Sequence, residues 1–434
     1  MSVETERNYS IKRVLGRSVP EIARSVRVDD RVRTLVPGFD APFFQAGLAG
    51  YSDAAMRLVA RKHGCPYCIT EALLDRTLIR GGKGRRKEDP EVLRREALQL
   101  ATPHHNAQQR STSRHNTPHT EASRCELSQS DALLHNEFEP GEELGDPEEN
   151  RIASADELID HPIAGQIMGS DPSEMAQAAE ILVEMGYDVV DVNLACPVKK
   201  MRKANRGGHC LTDVEQSVKI LKEVRKAVPA EIPCTVKLRR AFDDTAEMAE
   251  RFERIFCEAY DCGYAWATVH CRTVVQKYLG PGRWEFLTDL VRRHPDKVIF
   301  GSGDVWGVDD IFAMLELTGV HAVSVARGCI GNPWIFRQAR ELMRGESPTL
   351  PSIEEQREVL LEHFRLSVAL HGEKKASKMM RKFGIKFAIH HPQGADVKLE
   401  FIRCSTIDQW KSVVAQWYGG KDAVPASNSL SIAR

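Results

Sequence analysis

The chain has 434 residues, 42% hydrophobic and 28% charged, with 60 Lys and Arg against 61 Asp and Glu for a formal net charge of −1. No stretch reaches the roughly 20 apolar residues of a membrane span, which excludes an integral membrane protein of the helical kind. The charged opening MSVETERNYSIKRVLGR lacks the apolar core of a secretory signal, and eleven cysteines scattered through apparent strands and helices fit a reducing cytoplasm rather than a disulfide framework.

The near-zero net charge conceals a segregation. Residues 121–160 carry thirteen acidic and two basic residues, a local −11, so the remaining chain carries +10. Its basic clusters are RGGKGRRK (80–87), KKMRK (199–203) and KKASKMMRKFGIK (374–386). A basic body of this kind suits phosphate backbones, because Lys and Arg contacts release counterions.

In chain order, residues 1–37 read as an N-terminal extension and 38–347 as the main domain. Eight short apolar runs follow one another: APFFQAGL, PYCITEAL, PIAGQIM, VVDVNLAC, CTVKLR, WATVHC, KVIFGSG and AVSVAR. Most are separated by segments of helical period, such as 171–186, with Pro172 in its first turn and Gly186 at its end, and 213–228. Eight strand–helix units predict an α/β fold, a (β/α)8 TIM barrel. The spacing between the second and third runs is too long for one helix. Residues 88–160 therefore read as a long polar, disordered insertion, and its histidines lack the paired spacing of metal ligands, so no metal is expected. Residues 348–420 predict a small helical domain, starting with Ser352 as an N-cap and a stop at Gly372, and 421–434 a tail.

The most informative segment is DVNLACPVKKMRKANRGG, 191–208, which leaves an apolar run and enters a Gly- and Lys-rich loop. The C-terminal end of a barrel strand is where catalytic residues sit, so Cys196 stands at the mouth of a site, whereas the other cysteines read as small buried hydrophobes. Cys65-Pro66-Tyr67-Cys68 copies a redox dithiol, but it follows a helix instead of opening one, which argues against that role.

Asn193, Cys196, Pro197 and Lys199 form an N-x-x-C-P-x-x-K pattern that resembles the signature of the tRNA-dihydrouridine synthases. AGLAGYSDAAMR, TEALL, AGQIMGSDP, VKLR, VHCRTVVQKYLGPGRW, GSGDV and ARGCIGNPWIF match in order, so the likeness runs from Gln45 to Phe336 outside the insertion, and more weakly into the helical domain. The resemblance implies an FMN-binding barrel with a helical tRNA-binding domain. The enzyme would be a flavin-dependent oxidoreductase that reduces uridine to 5,6-dihydrouridine in tRNA, with NADPH as electron donor. Hydride would pass from FMN N5 to uracil C6, and a proton from Cys196 to C5. An ordinary thiol, titrating at about 8.5, is still an acid at neutral pH. The resemblance puts Gly47, Leu48 and Ala49 beside the flavin, with Gln166 at a ring edge. It points Lys237 toward the ring and sets His270 near the flavin or its phosphate. The loops after the last two strands, the usual phosphate site of such barrels, contribute Ser302, Gly303, Asp304, Ala326, Arg327 and Gly328. Gly47, Ser302 and Ala326 stand where the family usually has Pro, Asn and Gly.

A cytoplasmic monomer whose partners are tRNA and NADPH, with no membrane, is the resulting expectation. Three other readings compete: an FMN-dependent barrel enzyme reducing a free pyrimidine or other small molecule, a Schiff-base lyase built on Lys237, and a tRNA-binding protein without flavin. Basic C-terminal helices speak against the first, and intact Cys196, Lys237 and Arg327 against the last.

Overall fold

A computed structural model describes residues 16–81, 89–94, 158–198 and 205–419. The strands are β1 (Phe43–Gln45), β2 (Cys68–Ile69), β3 (Leu73–Leu74), β4 (Ile163–Met168), β5 (Val189–Leu194), β6 (Cys234–Arg239), β7 (Trp266–His270), β8 (Ile299–Ser302) and β9 (Ala322–Val325). All pair in parallel, and the ring closes through Phe43 against Val323 and Cys68 against Ile163. The predicted (β/α)8 barrel is present.

Its second stave is broken. β2 and β3 both lie along β4, and between them the Gln166 amide donates to the Thr70 hydroxyl at 3.0 Å instead of to a strand carbonyl. A hydroxyl standing in for a ladder carbonyl lets Thr70–Ala72 bulge without leaving a buried N–H unpaired.

Outside the staves lie α1 (Val19–Ser25), α2 (Asp30–Leu35), α3 (Ala54–Lys62), α4 (Asp75–Arg80), α5 (Pro172–Glu184), α6 (Val214–Ala227), α7 (Ala246–Asp261), α8 (Trp284–Arg293), α9 (Val308–Thr318) and α10 (Trp334–Arg344). Side-chain caps begin several of them: Asp171 accepts from the Ser173 and Glu174 amides, and Asp213 from Gln216.

Alternation along the strands sorts their residues into an outward set packed on the helices and an inward set filling the barrel. The lower interior is apolar. Phe44, Ile69, Ala164, Val189, Trp266, Phe300 and Ala322 form one buried cluster with Val28, Val32, Val36 and Phe39. Phe39 stacks on Tyr67 with ring centroids 4.7 Å apart, and Trp266 lies 5.0 Å from Phe300. Residues 28–36, which the sequence reading sets apart as an extension, therefore belong to the barrel's own core and close its bottom. Most of the 88–160 stretch lies outside the described residues, but its roots are structural. Val92, Leu93 and Leu158 are buried, and the fully buried Asp160 pairs with Arg57 at 2.8 Å and Arg61 at 3.0 Å.

After the barrel come α11 (Ile353–His371), α12 (Glu373–Phe387), α13 (Gly394–Arg403) and α14 (Ile407–Tyr418). Ser352 caps α11 through the Glu355 amide, and Gly372 ends it at φ +72°, as the sequence predicts. The helices share a core in which Phe364 stacks on Trp410 at 4.6 Å. α12 crosses α13 closely at Gly384, where a Cβ would fall 2.5 Å from the Phe401 ring. The group docks on the barrel through Asp53–His371 at 2.8 Å, Lys62–Glu362 at 2.9 Å and a Tyr51–Phe383 ring contact.

Candidate active site

Above the aromatic plug the barrel interior turns polar. Asp191, buried on β5, accepts from the Thr235 hydroxyl at 2.6 Å and from the Gln166 amide at 2.7 Å. Burial raises its carboxyl above the usual range, opposed by those two hydrogen bonds. The Gln166 carbonyl accepts from the Asn193 amide at 2.6 Å, and the Asn193 oxygen accepts from the backbone N–H groups of Ala195 and Cys196 at 3.0 and 3.1 Å. A chain of hydrogen bonds thus runs from the barrel axis to Cys196. Fixed in this way, Gln166 has one defined amide orientation.

Lys237 points inward from β6, half-buried, and donates to the Ser302 hydroxyl at a long 3.5 Å. Loss of hydration pushes its ammonium down to about 8, although Asp191 pulls the other way. Beside it on β7, His270 is held far below its ordinary value by burial, reinforced by Arg239, Lys237, Arg272 and Arg327. Its Nδ1 accepts from the Arg272 amide at 3.2 Å, so His270 is a neutral ring with its proton on Nε2. Thr268 and Ser324, on the inward face between these groups and the plug, keep buried hydroxyls with no partner among the described residues.

At the far side of the mouth, Gly303 sits at φ +125° where a Cβ would fall 2.4 Å from Cys271 Sγ, so the turn needs glycine. Asp304 follows at φ +57°. Its carboxylate binds Arg272 at 2.6 Å and the Gly282 amide at 2.7 Å, and reaches Arg327 at 3.4 Å. Asp304 thus organises two arginines, a role that its acidic charge makes more natural than direct contact with an anion. The Arg327 guanidinium lies 4.2 Å over the Trp306 ring, and Gly328 packs so tightly that a Cβ would fall 2.6 Å from the Val305 carbonyl. Ala326 precedes them both, at φ −103°, ψ −96°.

Opposite, Gly47 follows β1, where a Cβ would fall 2.3 Å from the Thr70 carbonyl; at the rim Leu48 is half-buried against the core and Ala49 is exposed. Cys196 opens the loop after β5, half-buried, with its carbonyl accepting from the Gly208 amide at 3.0 Å. The sequence-selected residues therefore converge on one mouth. Sequence reasoning missed Asp191, Arg239, Thr268 and Ser324. Arg239 donates to the carbonyls of Ala195, Thr273 and Lys277, tying the Cys196 loop to the β7 loop, and burial pushes it down to about 10. Its only sequence signal is the inward parity with Lys237 in CTVKLR.

Elsewhere, the thiols of Cys65 and Cys68 lie 3.8 Å apart but fully enclosed on the outer face of the barrel. Glu253, Cys257 and His294 form a cluster of metal-ligand type on the outer wall, where Glu253 is already paired with Arg293 and His294.

Fold and mouth together define a (β/α)8 enzyme whose polar mouth joins the inward-pointing Lys237 to glycine-built turns beside Arg327. A profile of the dihydrouridine synthase (Dus) family matches residues 44–416. The chain is 32% identical over 258 residues to tRNA-dihydrouridine synthase B of Xanthomonas axonopodis pv. citri, covering 59% of this chain and 76% of that one. It is 31% identical over 251 residues to tRNA-dihydrouridine(16) synthase of Aquipseudomonas alcaligenes, covering 57% and 78%. Histamine dehydrogenase from Rhizobium sp. 4-9 shares 12% identity at a TM-score of 0.44, covering 75% of this chain and 48% of that one.

The chain belongs to the dihydrouridine synthase family, FMN-dependent oxidoreductases. Its residues fit that cofactor. The Thr268 and Ser324 hydroxyls, unpartnered among the described residues, and the weakly held Lys237 ammonium are unmet polar groups inside the barrel.

Proposed function

We propose that this chain reduces uridine to 5,6-dihydrouridine in tRNA, as a cytoplasmic monomer with NADPH as electron donor. Lys237 and Gln166 would hold the ring of FMN. His270, Ser302, Gly303, Ala326, Arg327 and Gly328 would hold its ribityl phosphate end, with Asp304 keeping Arg327 in place, and Gly47, Leu48 and Ala49 would border it. When bound, FMN supplies the hydride that protein side chains cannot. Cys196 supplies the proton for uracil C5, and its half-exposure at the mouth supports that role. The neutral His270 adds no further positive charge beside Lys237, whose ammonium would favour a reduced, anionic flavin.

The observation that carries the RNA substrate is α12. Lys374, Lys375, Lys378, Arg381, Lys382 and Lys386 are exposed on it, while Met380, Phe383 and Phe387 face the core. The helix abuts the mouth, with Lys382 Nζ 5.6 Å from the Tyr51 ring. On this reading, residues 38–347 form the catalytic domain, completed from below by 28–36, and 348–420 the tRNA-binding domain, as phosphate contacts require. A target base must leave its stack to reach Cys196, at a cost of a few kcal/mol.

The test is anaerobic. The holoenzyme is reduced with NADPH, mixed with unmodified tRNA, free uridine or UMP, and followed by flavin absorbance. Rapid reoxidation with tRNA alone, yielding dihydrouridine, is expected. Equal rates with free uridine would instead establish a small-molecule enzyme.

A further inference from the structure

The loop that carries Cys196 returns to the barrel through Asn205–Cys210, and there it meets a buried carboxylate. Asp75, at the start of α4, has no exposure and lies 3.1 Å from Arg206, whose side chain is 12% exposed. The carboxylate also accepts from the Arg76 amide at 2.7 Å. It lies so flat on the end of β4 that a Cβ at Gly169 would fall 2.1 Å from Asp75 Oδ2. Among the described residues only one arm of each fork is engaged, for Asp75 Oδ2 and Arg206 Nε are both buried without partners there. A pair chosen for stability alone would be expected to engage both arms, since half-satisfied buried ion pairs contribute little.

What the pair does hold is a shape. Asn205 and Gly207, on either side of Arg206, both have left-handed backbones, at φ +45° and +59°. The turn rests directly on the cysteine: a Cβ at Gly207 would fall 2.7 Å from Cys196 Cβ, and the Gly208 amide donates to the Cys196 carbonyl. Arg206 is thus the one long side chain in a turn that otherwise has only glycine against Cys196. Its anchor lies on a different stave, at the end of β3.

We propose that Asp75, acting through Arg206, is a positioning residue for Cys196, tying the turn that backs the thiol to the rigid end of β3 and β4. The catalytic consequence rests on the reading of Cys196 as the proton donor, but the tie itself does not. Arg206 and Asp75 act through the turn. They set where the Cys196 Sγ stands, and misplacement by about 1 Å is enough to lower a rate by about 10².

The test uses the full-length holoenzyme with Asp75→Asn, Arg206→Gln and Arg206→Lys. Iodoacetamide labelling is followed site by site by mass spectrometry, with the half-buried Cys257 and Cys262 as internal references. In Asp75→Asn and Arg206→Gln the labelling rate of Cys196 should change by about tenfold, the size of one charged hydrogen bond, with both references unchanged. The kcat for tRNA-dependent reoxidation should fall by a similar factor with KM within about twofold, and reduction of the flavin by NADPH should stay at the wild-type rate. Arg206→Lys, which keeps the charge, should recover most of both. Unchanged Cys196 labelling in Asp75→Asn and Arg206→Gln overturns the proposal, as does a parallel change at Cys257 and Cys262, which marks general loosening. If the wild-type enzyme shows no tRNA-dependent reoxidation, the function reading fails, and the labelling comparison still decides the tie.

Discussion

The two halves of the barrel interior are built from the same strands and differ in what they leave unmet. Below, Phe44, Trp266, Phe300 and the residues from Val28 to Phe39 pack ring against ring. Above, Thr268 and Ser324 have no partners, Lys237 is held at 3.5 Å, and His270 is forced neutral. Apolar packing is satisfied when the chain folds, whereas buried polar groups without partners are costly until something else supplies them. Apart from the Tyr67 hydroxyl, unpartnered among the described residues, the lower half is therefore finished by the chain itself, whereas the upper half keeps polar groups for FMN to meet. Folding free energy and binding free energy are thus separated along a single axis.

The comparison can be broken at several points. The largest expected effect is at the mouth. Cys196→Ala should lower single-turnover reduction of tRNA uridine by a factor on the order of 10²–10⁴, the range for loss of a general acid, with flavin content and NADPH oxidation unchanged. Wild-type reoxidation by the alanine variant would move the acid to another group. In the plug, Trp266→Ala should lower unfolding free energy by about 3–5 kcal/mol in urea titrations, with or without FMN. An equal loss of FMN affinity in that variant would mean that the halves are not separable.

Arg327→Ala should weaken FMN binding by about 1.5–3 kcal/mol, read by fluorescence titration of apoprotein, while leaving the urea midpoint of that apoprotein nearly constant. A smaller effect separates the halves by pH. Lys237 titrates at about 8 in the folded protein, against 10.5 for an ordinary lysine. Between those values the unfolded chain binds more protons, so this group adds stability as pH rises from 8 toward 10.5 and opposes folding most below 8. The wild-type minus Lys237→Met difference in urea midpoint should show that slope in apoprotein, and FMN, by neutralising the ammonium, should flatten it. A difference independent of pH would mean that the lysine is fully hydrated. The smallest effect belongs to removal of residues 101–150. Their polar, acidic sequence predicts a melting temperature within about 2 °C of the full chain, measured by calorimetry, because little apolar area is lost.

Much of this was legible in the sequence. Eight apolar runs, the Pro172 and Ser352 helix starts, the Gly372 stop and Cys196 at a strand end are local signals, because strand period, capping and turn chemistry act over a few residues, whereas Lys237, Arg327 and the glycines at the mouth were picked out by the family resemblance. The break in the second stave was not, since it depends on the Thr70 hydroxyl meeting the Gln166 amide 96 residues away. Nor was α13, which opens on Gly394 with no capping side chain. Val28, Val32 and Val36 read as an extension because nothing local says which surface covers them, and only the closed ring of strands supplies that surface. The same reason hides Asp191, Arg239, Thr268, Ser324 and the Asp75–Arg206 pair. A polar side chain acquires its role from the groups that enclose it, and those come from distant strands. By itself the sequence determined most of the strands and helices and the identity of the chemical groups. The tertiary structure decided which of those groups are buried together, because burial and partnership are properties of the assembled barrel.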